Sequence, residues 1–286
     1  MPTRLRSNMA ALVIAGCTAL MTGASLRAQS APRSASRVLE FTAMDFAFRS
    51  PAKGTAGLNT IRLTNTGKKL HHVQLFKLED GKRLADLFPI LNANKGVHNT
   101  PKWAVAAGGV SAALPGQSIA IRQQLAPGRY AVICWVPSGD GQVHVMKGMM
   151  SELEITPSPT APREVEPASD IRVTLKEYAA TFSTPLTRGK HTLRIENVGA
   201  QDHEFLLVKL KPGKTPADVG HWAETGQITP SPVETWSGLA GIASRGVAWL
   251  DVDLTPGTYA VVCFSPDRRD GKPHSLHGFS HVVRVP

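Results

Sequence analysis

Residues 125–134 read LAPGRYAVIC, and residues 254–263 read LTPGTYAVVC. Each opens on a Pro-Gly turn signal and runs into an apolar stretch that ends on a cysteine. In the first, Tyr130, Val132 and Cys134 fall on one face of an extended chain, and Ala131, Ile133 and Trp135 fall on the other. Apolar residues on both faces predict a central strand, covered above and below.

The match extends outward in both directions. TIRLTNTGKKLHHVQLFKL (60–78) lines up without gaps on TLRIENVGAQDHEFLLVKL (192–210). Between the paired blocks each copy has a less regular stretch, with Trp103 before AAGG and Trp236 before LAGIAS. The chain is therefore an internal repeat, with copies at 37–156 and 170–286 joined by a Pro/Ser-rich linker at 157–169. TIRLTN and TLRIEN alternate apolar and polar residues, the pattern of a strand with one buried face. The segments KRLADLFPILNANK and TPADVGHWAETG predict a short helix in each copy. Short strands separated by Pro/Gly turns over roughly 115 residues predict an all-β fold of two tandem Greek-key sandwiches.

The N-terminus carries Arg4 and Arg6, then the apolar run MAALVIAGCTALMTGASL, then small and polar residues. That order is an export signal, and the run falls short of the roughly 20 apolar residues that span a bilayer. Cleavage near Ala28 makes residues 1–28 the signal and the product periplasmic or secreted. Ile14-Ala15-Gly16-Cys17 also resembles the lipobox of bacterial lipoproteins, which would end the signal at residue 16 and anchor Cys17 to a membrane. The formal charge of +10 is scattered rather than clustered on a helix or interleaved with aromatics, which argues against nucleic acid as a partner. Apart from Cys17 the chain has only Cys134 and Cys263, at the same place in each copy. A repeat with its own single cysteine uses it locally rather than in a disulfide between copies.

After the cysteines the copies read WVPSGDGQVHVMKGMM and FSPDRRDGKPHSLHGFS. One gap aligns His144 with His274, Gly148 with Gly278 and Met149 with Phe279. Upstream, the gapless register pairs His71 with His203 and His72 with Glu204, so His71 is the histidine with a counterpart. Neighbours on a strand point to opposite faces, so only one of His71 and His72 faces a given site. Two imidazoles, one thiolate and a thioether suit copper, because sulfur holds Cu(I) and imidazole holds both oxidation states. Zinc also takes two His and one Cys, but has little use for a methionine at this spacing.

These features resemble the cupredoxins, the plastocyanin and azurin type of blue-copper domain, here in tandem. The resemblance lies in an Asn-x-Gly turn before the first histidine, a PGxY turn into the cysteine strand, and a histidine followed five places on by methionine. It implies an eight-stranded Greek-key sandwich with copper under one end. His71, Cys134 and His144 would be equatorial ligands and Met149 the axial one. The chain departs from the family in the number of residues between cysteine and histidine, which is larger here. The second copy offers His203, Cys263 and His274, with non-ligating Phe279 in the axial slot. Copper there would be three-coordinate, with His277 reaching in or Asp202 orienting an imidazole; a metal-free scaffold is the other reading.

Three functions follow. An exported copper protein would carry electrons or handle copper, with a redox or copper-accepting protein as partner. A metal-free sandwich would bind something else and keep residual ligands. Tandem cupredoxin enzymes, the two-domain laccases and copper nitrite reductases, build catalytic copper from His-x-His pairs and need a histidine beside the cysteine. Here Cys134 stands between Ile133 and Trp135, Cys263 between Val262 and Phe264, and His-x-His is absent from the sequence. The expectation is a copper protein that is not an enzyme.

Overall fold

The computed structural model describes Met1 and residues 37–93, 100–158 and 165–286. Apart from Met1, the segment 1–28 expected as an export signal, Cys17 included, and the central part of the linker lie outside the described residues. What is described is all-β apart from two α-helices and two short 3-10 turns. No helix among the described residues is long and apolar enough to cross a membrane.

The cysteine strand is central, as its two apolar faces require. Gly128–Ile133 lies between Met150–Thr156 and Gln74–Leu78, antiparallel to both. Tyr130, Val132 and Cys134 enter the main core with Leu39, Phe41, Ile61 and Leu63 of the facing sheet. Ala131, Ile133 and Trp135 enter a second cluster on the opposite face, closed by Leu87 and Leu91. Those two leucines are the buried side of helix α1 (Leu84–Ala93). Helix α2 (Pro216–Glu224) is its counterpart in the second half and buries Val219, Trp222 and Ala223. It starts on a capping box, with Thr215 and Asp218 satisfying each other's backbone N–H and Pro216 opening the first turn. Both helices fall inside the segments in which the sequence predicts them.

How the two copies meet is the part the sequence does not state. One eight-stranded sheet runs through both halves. The junction is antiparallel pairing of Ser118–Leu125 with Val247–Leu254, through Ile121–Leu250, Arg122–Trp249 and Gln123–Ala248. Main-core residues of both halves form one continuous cluster. A second seam uses the AAGG and LAGIAS stretches. There Gly108 N donates to Gly241 O (2.9 Å), Ser111 N to Gly238 O (3.1 Å), Ala240 N to Gly109 O (3.0 Å) and Ala243 N to Ala106 O (3.0 Å). The buried Gln74 amide joins this seam, donating to Gly241 O at 2.8 Å and to Leu75 O at 2.8 Å.

Glycines let each seam strand close on the histidine-bearing strand of its own half. A Cβ on Gly109 would sit 2.1 Å from Val73 O, and one on Gly238 would sit 2.0 Å from Phe205 O. Both residues have positive φ, 113° and 141°, where a side chain is strained whatever the space. Gly238→Ala is therefore expected to destabilise the whole protein by more than about 2 kcal/mol. Equilibrium urea unfolding followed by tryptophan fluorescence measures this; a loss within about 0.5 kcal/mol would refute it.

Candidate metal centres

Each site starts from an asparagine. Asn65 ends its strand, accepts a hydrogen bond from Gly67 N (2.9 Å) and donates to Lys69 O (2.7 Å) and Ala113 O (2.8 Å). Asn197 does the same with Gly199 N (2.9 Å), Gln201 O (2.8 Å) and Ile242 O (2.8 Å). One buried side chain thus folds the Asn-x-Gly turn and ties the histidine segment to the neighbouring strand. The glycine has its own role. A Cβ on Gly67 would lie 2.5 Å from Asp45 Oδ1 and 2.8 Å from His71 Nε2, and one on Gly199 would lie 2.7 Å from Glu177 Oε1 and 2.8 Å from His203 Nε2. Only a residue without a side chain lets an acid and an imidazole close over the turn.

The other ligands come from the cysteine strand and the loop after it. Cys134 O accepts from Val145 N (2.9 Å), and His144 N donates to Val136 O (2.9 Å). Pro137 bridges Val143, and Ser138 N donates to Gln142 O (2.8 Å). The long insertion between Cys134 and His144 is therefore a self-closed hairpin, and its base brings the two ligands together. The second half repeats this: Pro266 bridges Pro273, His274 N donates to Ser265 O (2.9 Å), and Ser275 N donates to Cys263 O (2.9 Å).

The result is two buried groups, His71–Cys134–His144 and His203–Cys263–His274, each with its donor atoms within 4.8 Å of one another. All six residues are fully buried. In the first, His71 Nδ1 lies 3.1 Å from His144 Nδ1, and Cys134 Sγ lies 3.4 Å from His144 Nδ1. In the second, Cys263 Sγ is 3.5 Å from His274 Nδ1 and 4.0 Å from His203 Nδ1. His72 is not part of the first group. Its Nε2 faces the other way and accepts from Trp135 N at 2.6 Å. Glu204 accepts from Phe264 N (3.0 Å) at the matching place, so the residue after each strand histidine pins the backbone just past each cysteine.

Met149 and Phe279 occupy equivalent buried positions. Met149 N donates to His144 O (3.1 Å), Phe279 N donates to His274 O (3.0 Å), and both side chains join the main core. The Phe279 ring lies 5.4 Å from the His203 ring, centroid to centroid. Neither auxiliary residue proposed for the second copy serves it: His277 Nε2 is 3.1 Å from Asp270 Oδ1, and Asp202 faces Arg268 at 3.8 Å.

The structure adds an acid and an aromatic to each site. His71 Nε2 lies 3.0 Å from Asp45 Oδ1, which also accepts from Lys68 N and Lys69 N. Burial works against the Asp45 charge, but the His71 and backbone hydrogen bonds outweigh it and hold its carboxyl below its ordinary value. An ionised carboxylate only accepts, so His71 Nε2 carries the proton and Nδ1 presents a lone pair to the centre. Phe46 follows at φ 65° and sets its ring edge-on to His144, 4.9 Å between centroids. Glu177 and Tyr178, at φ 62°, are the counterparts. There the pattern loosens: Glu177 takes the Ala200 N–H, while Tyr178 hydrogen-bonds the buried Asp267, whose Oδ2 stands 3.8 Å from His274 Nε2. The register that pairs His71 with His203 also pairs Asp45 with Glu177 and Phe46 with Tyr178, so carrying the alignment upstream past residue 60 finds them.

Burial sets the protonation. It pushes the Cys134 and Cys263 thiols up to about 12. It pulls His144 down to about 3, with neighbouring His71 adding to the effect, and His203 down to about 4. His71 and His274 are lowered for the same reason. Each cage thus presents neutral imidazoles and a thiol. This donor set fits copper. His71 Nδ1 has a lone pair aimed at His144 Nδ1, while His144 Nε2 is buried without an acceptor. In the metal-free cage the His144 proton therefore belongs at Nδ1, between the rings. For His71, Cys134 and His144 to hold a soft cation, that proton would have to move to His144 Nε2 and the thiol proton would have to leave.

No protein-family model matches the sequence, and no curated protein matches it. Solved structures do. Dithionite-reduced auracyanin from Roseiflexus castenholzii is 20% identical over 43% of this chain and 100% of its own, with a TM-score of 0.31. A blue copper oxidase from Nitrosomonas europaea is 14% identical over 88% of this chain and 86% of its own, with a TM-score of 0.26. A copper nitrite reductase from Nitrosomonas europaea is 15% identical over 89% and 94%, with a TM-score of 0.23.

The lowered histidines give the metal-free protein a definite pH dependence. The unfolded chain takes up protons near the ordinary histidine value of about 6.5, whereas folded His144 and His203 do not until about 3 and about 4. Between those values the unfolded state binds more protons, so stability is full above about 6.5 and falls with falling pH. The urea midpoint of metal-free protein should drop steadily from pH 7 to pH 4, and the double variant His144→Gln/His203→Gln should flatten that slope.

Proposed function

We propose that this is an exported copper protein of the electron-carrying or copper-handling kind, working through the His71–Cys134–His144 centre with Met149 as the axial sulfur. The observation that carries the reading is the preassembled, dry first cage, with its two imidazole nitrogens 3.1 Å apart and one of them fixed as a lone pair by Asp45. Copper bound there would supply a one-electron couple. The chain's part is to hold the rings still, exclude water and keep the thiolate from other chemistry. Such a cage changes little on loss or gain of an electron, which favours rapid transfer to a redox partner. The second centre, with Phe279 in place of methionine, is proposed to favour Cu(I). Residues 133 and 135 point into the apolar cluster under α1 and neither is a histidine, which supports a carrier rather than a tandem-site oxidase or reductase.

Titrating the mature protein with Cu(II) tests this. An intense thiolate–copper band should appear, saturate at one or two equivalents and vanish with Cys134→Ser; Cys263→Ser run alongside reports the second centre. No such band, together with no Cu(I) retention against a competing chelator, would leave the metal-free module as the better reading. If Asp45 fixes the His71 tautomer, Asp45→Asn should weaken copper retention by the first centre roughly 10- to 100-fold and leave the second unchanged.

A further inference from the structure

The loop that carries His144 rests on the other half of the molecule. After α2 the chain turns through Thr225, Gly226, Gln227 and Ile228, with Gly226 at φ 73° and Gln227 at φ 58°. This turn lies directly on residues 138 and 139. A Cβ on Gly226 would be 2.1 Å from Gly139 N and 2.5 Å from Ser138 C; one on Gly139 would be 3.0 Å from Thr225 O. Hydrogen bonds flank this glycine-on-glycine contact: Gln227 Nε2 donates to Pro137 O (3.1 Å), and Lys69 Nζ donates to Gly226 O (3.0 Å). Lys69 stands two residues before His71 and Pro137 three after Cys134. One turn of the second half therefore touches both segments that deliver ligands to the first centre.

We propose that the 225–228 turn is a positioning element for the first metal centre, and that the ligand geometry there depends on the docking of the second half. The inference rests on the copper reading above. The hairpin between Cys134 and His144 is closed from within, by Ser138 N donating to Gln142 O and by Asp140 accepting from Ser138, Gln142 N and Lys147. Those bonds fix its shape and not its placement against the rest of the molecule, and Gly139 and Gly141 at its tip are exposed and carry no side chain to dock it. A metal site needs its ligands held within roughly 0.5 Å by their surroundings. The turn supplies that restraint by backbone contact, which explains why both residues at the closest approach are glycines. Described hydrogen bonds to the second loop are made within its own half: Arg268 N donates to Gln201 Oε1 (2.7 Å), and Tyr178 donates to Asp267.

The test places Gly226→Ala in two backgrounds: Cys263→Ser, which keeps only the first centre, and Cys134→Ser, which keeps only the second. In the first background Cu(I) retention should fall about tenfold or more, and the thiolate–copper band should shift or broaden. In the second background both should stay as they were. Gly213→Ala, at φ 76° with nothing within 4 Å of its Cβ, controls for backbone strain alone and should alter neither centre. Gln227→Ala removes the hydrogen bonds to Pro137 O and Ala223 O without a clash and should act in the same direction, about threefold, should Gly226→Ala fold poorly. Amide hydrogen exchange on metal-free protein supplies a readout independent of copper. Gly226→Ala should speed exchange at Ser138 and His144 about tenfold or more and leave Asp267 and His274 unchanged. Equal effects at both centres, no effect at the first, or the same effect from Gly213→Ala would each overturn the proposal. Absence of a thiolate–copper band in the parent Cys263→Ser protein would count against copper alone; the exchange measurement would then decide the role of the turn.

Discussion

Two imidazoles and a thiol would each rather face water than one another unless the chain around them holds them together, and much of this structure serves to do that. The force comes from the apolar strand Gly128–Ile133, clamped between neighbours and covered on both faces, which brings Cys134 into the core with no freedom to turn toward water. Burial then keeps the imidazoles neutral and the thiol protonated. Asn65 ties the turn to Ala113 O, and Asp45, accepting from His71 Nε2, decides which nitrogen of His71 looks inward. Each step depends on the one before it: without the dry core the tautomer would be free to exchange, and without the tautomer the cage would present a proton where it needs a lone pair.

The two halves apply this scheme with different strictness. In the first, the acid reaches the strand histidine, and the two Nδ1 atoms stand 3.1 Å apart. In the second, Glu177 spends its hydrogen bond on a backbone amide, His203 Nε2 is left without a partner, and sulfur and His203 Nδ1 stand 4.0 Å apart. Compensation lies on the other ring, where Asp267 is fully buried and held by Arg269, Tyr178 and Gln201 near His274. An acid thus bonds the strand histidine in one site and stands beside the loop histidine, beyond hydrogen-bond distance, in the other.

Much of this is legible in the residues. The two faces of RYAVICW place the strand at the centre of its sheet, and gapless pairing of His71 with His203 picks the inward histidine over His72. Both helices lie within the expected segments. Asp45 and Phe46 are legible too, but only if the repeat is followed upstream of its strongest block, where identity gives way to chemical similarity. The self-closing hairpin between Cys134 and His144 was harder to foresee, since loop length alone gives no direction. The seam between halves was not legible at all: AAGG and LAGIAS carry no periodicity, and their meaning lies in the backbone hydrogen bonds that each makes to the other half.

That seam has a symmetry. In the sheet junction Ile121 faces Leu250, and in the glycine seam Val110 faces Leu239; by the repeat alignment each of these is a residue meeting its own counterpart. The pairings on either side run antiparallel about those points, as across a two-fold axis. Such a contact is isologous: each half offers the surface that the other half needs. The protein is thus built like a homodimer whose subunits have been joined end to end. Joining removes the requirement for two chains to meet, and it frees each subunit to change alone. The methionine of one centre and the phenylalanine of the other are differences that a true homodimer, with both subunits read from one sequence, has no means to hold.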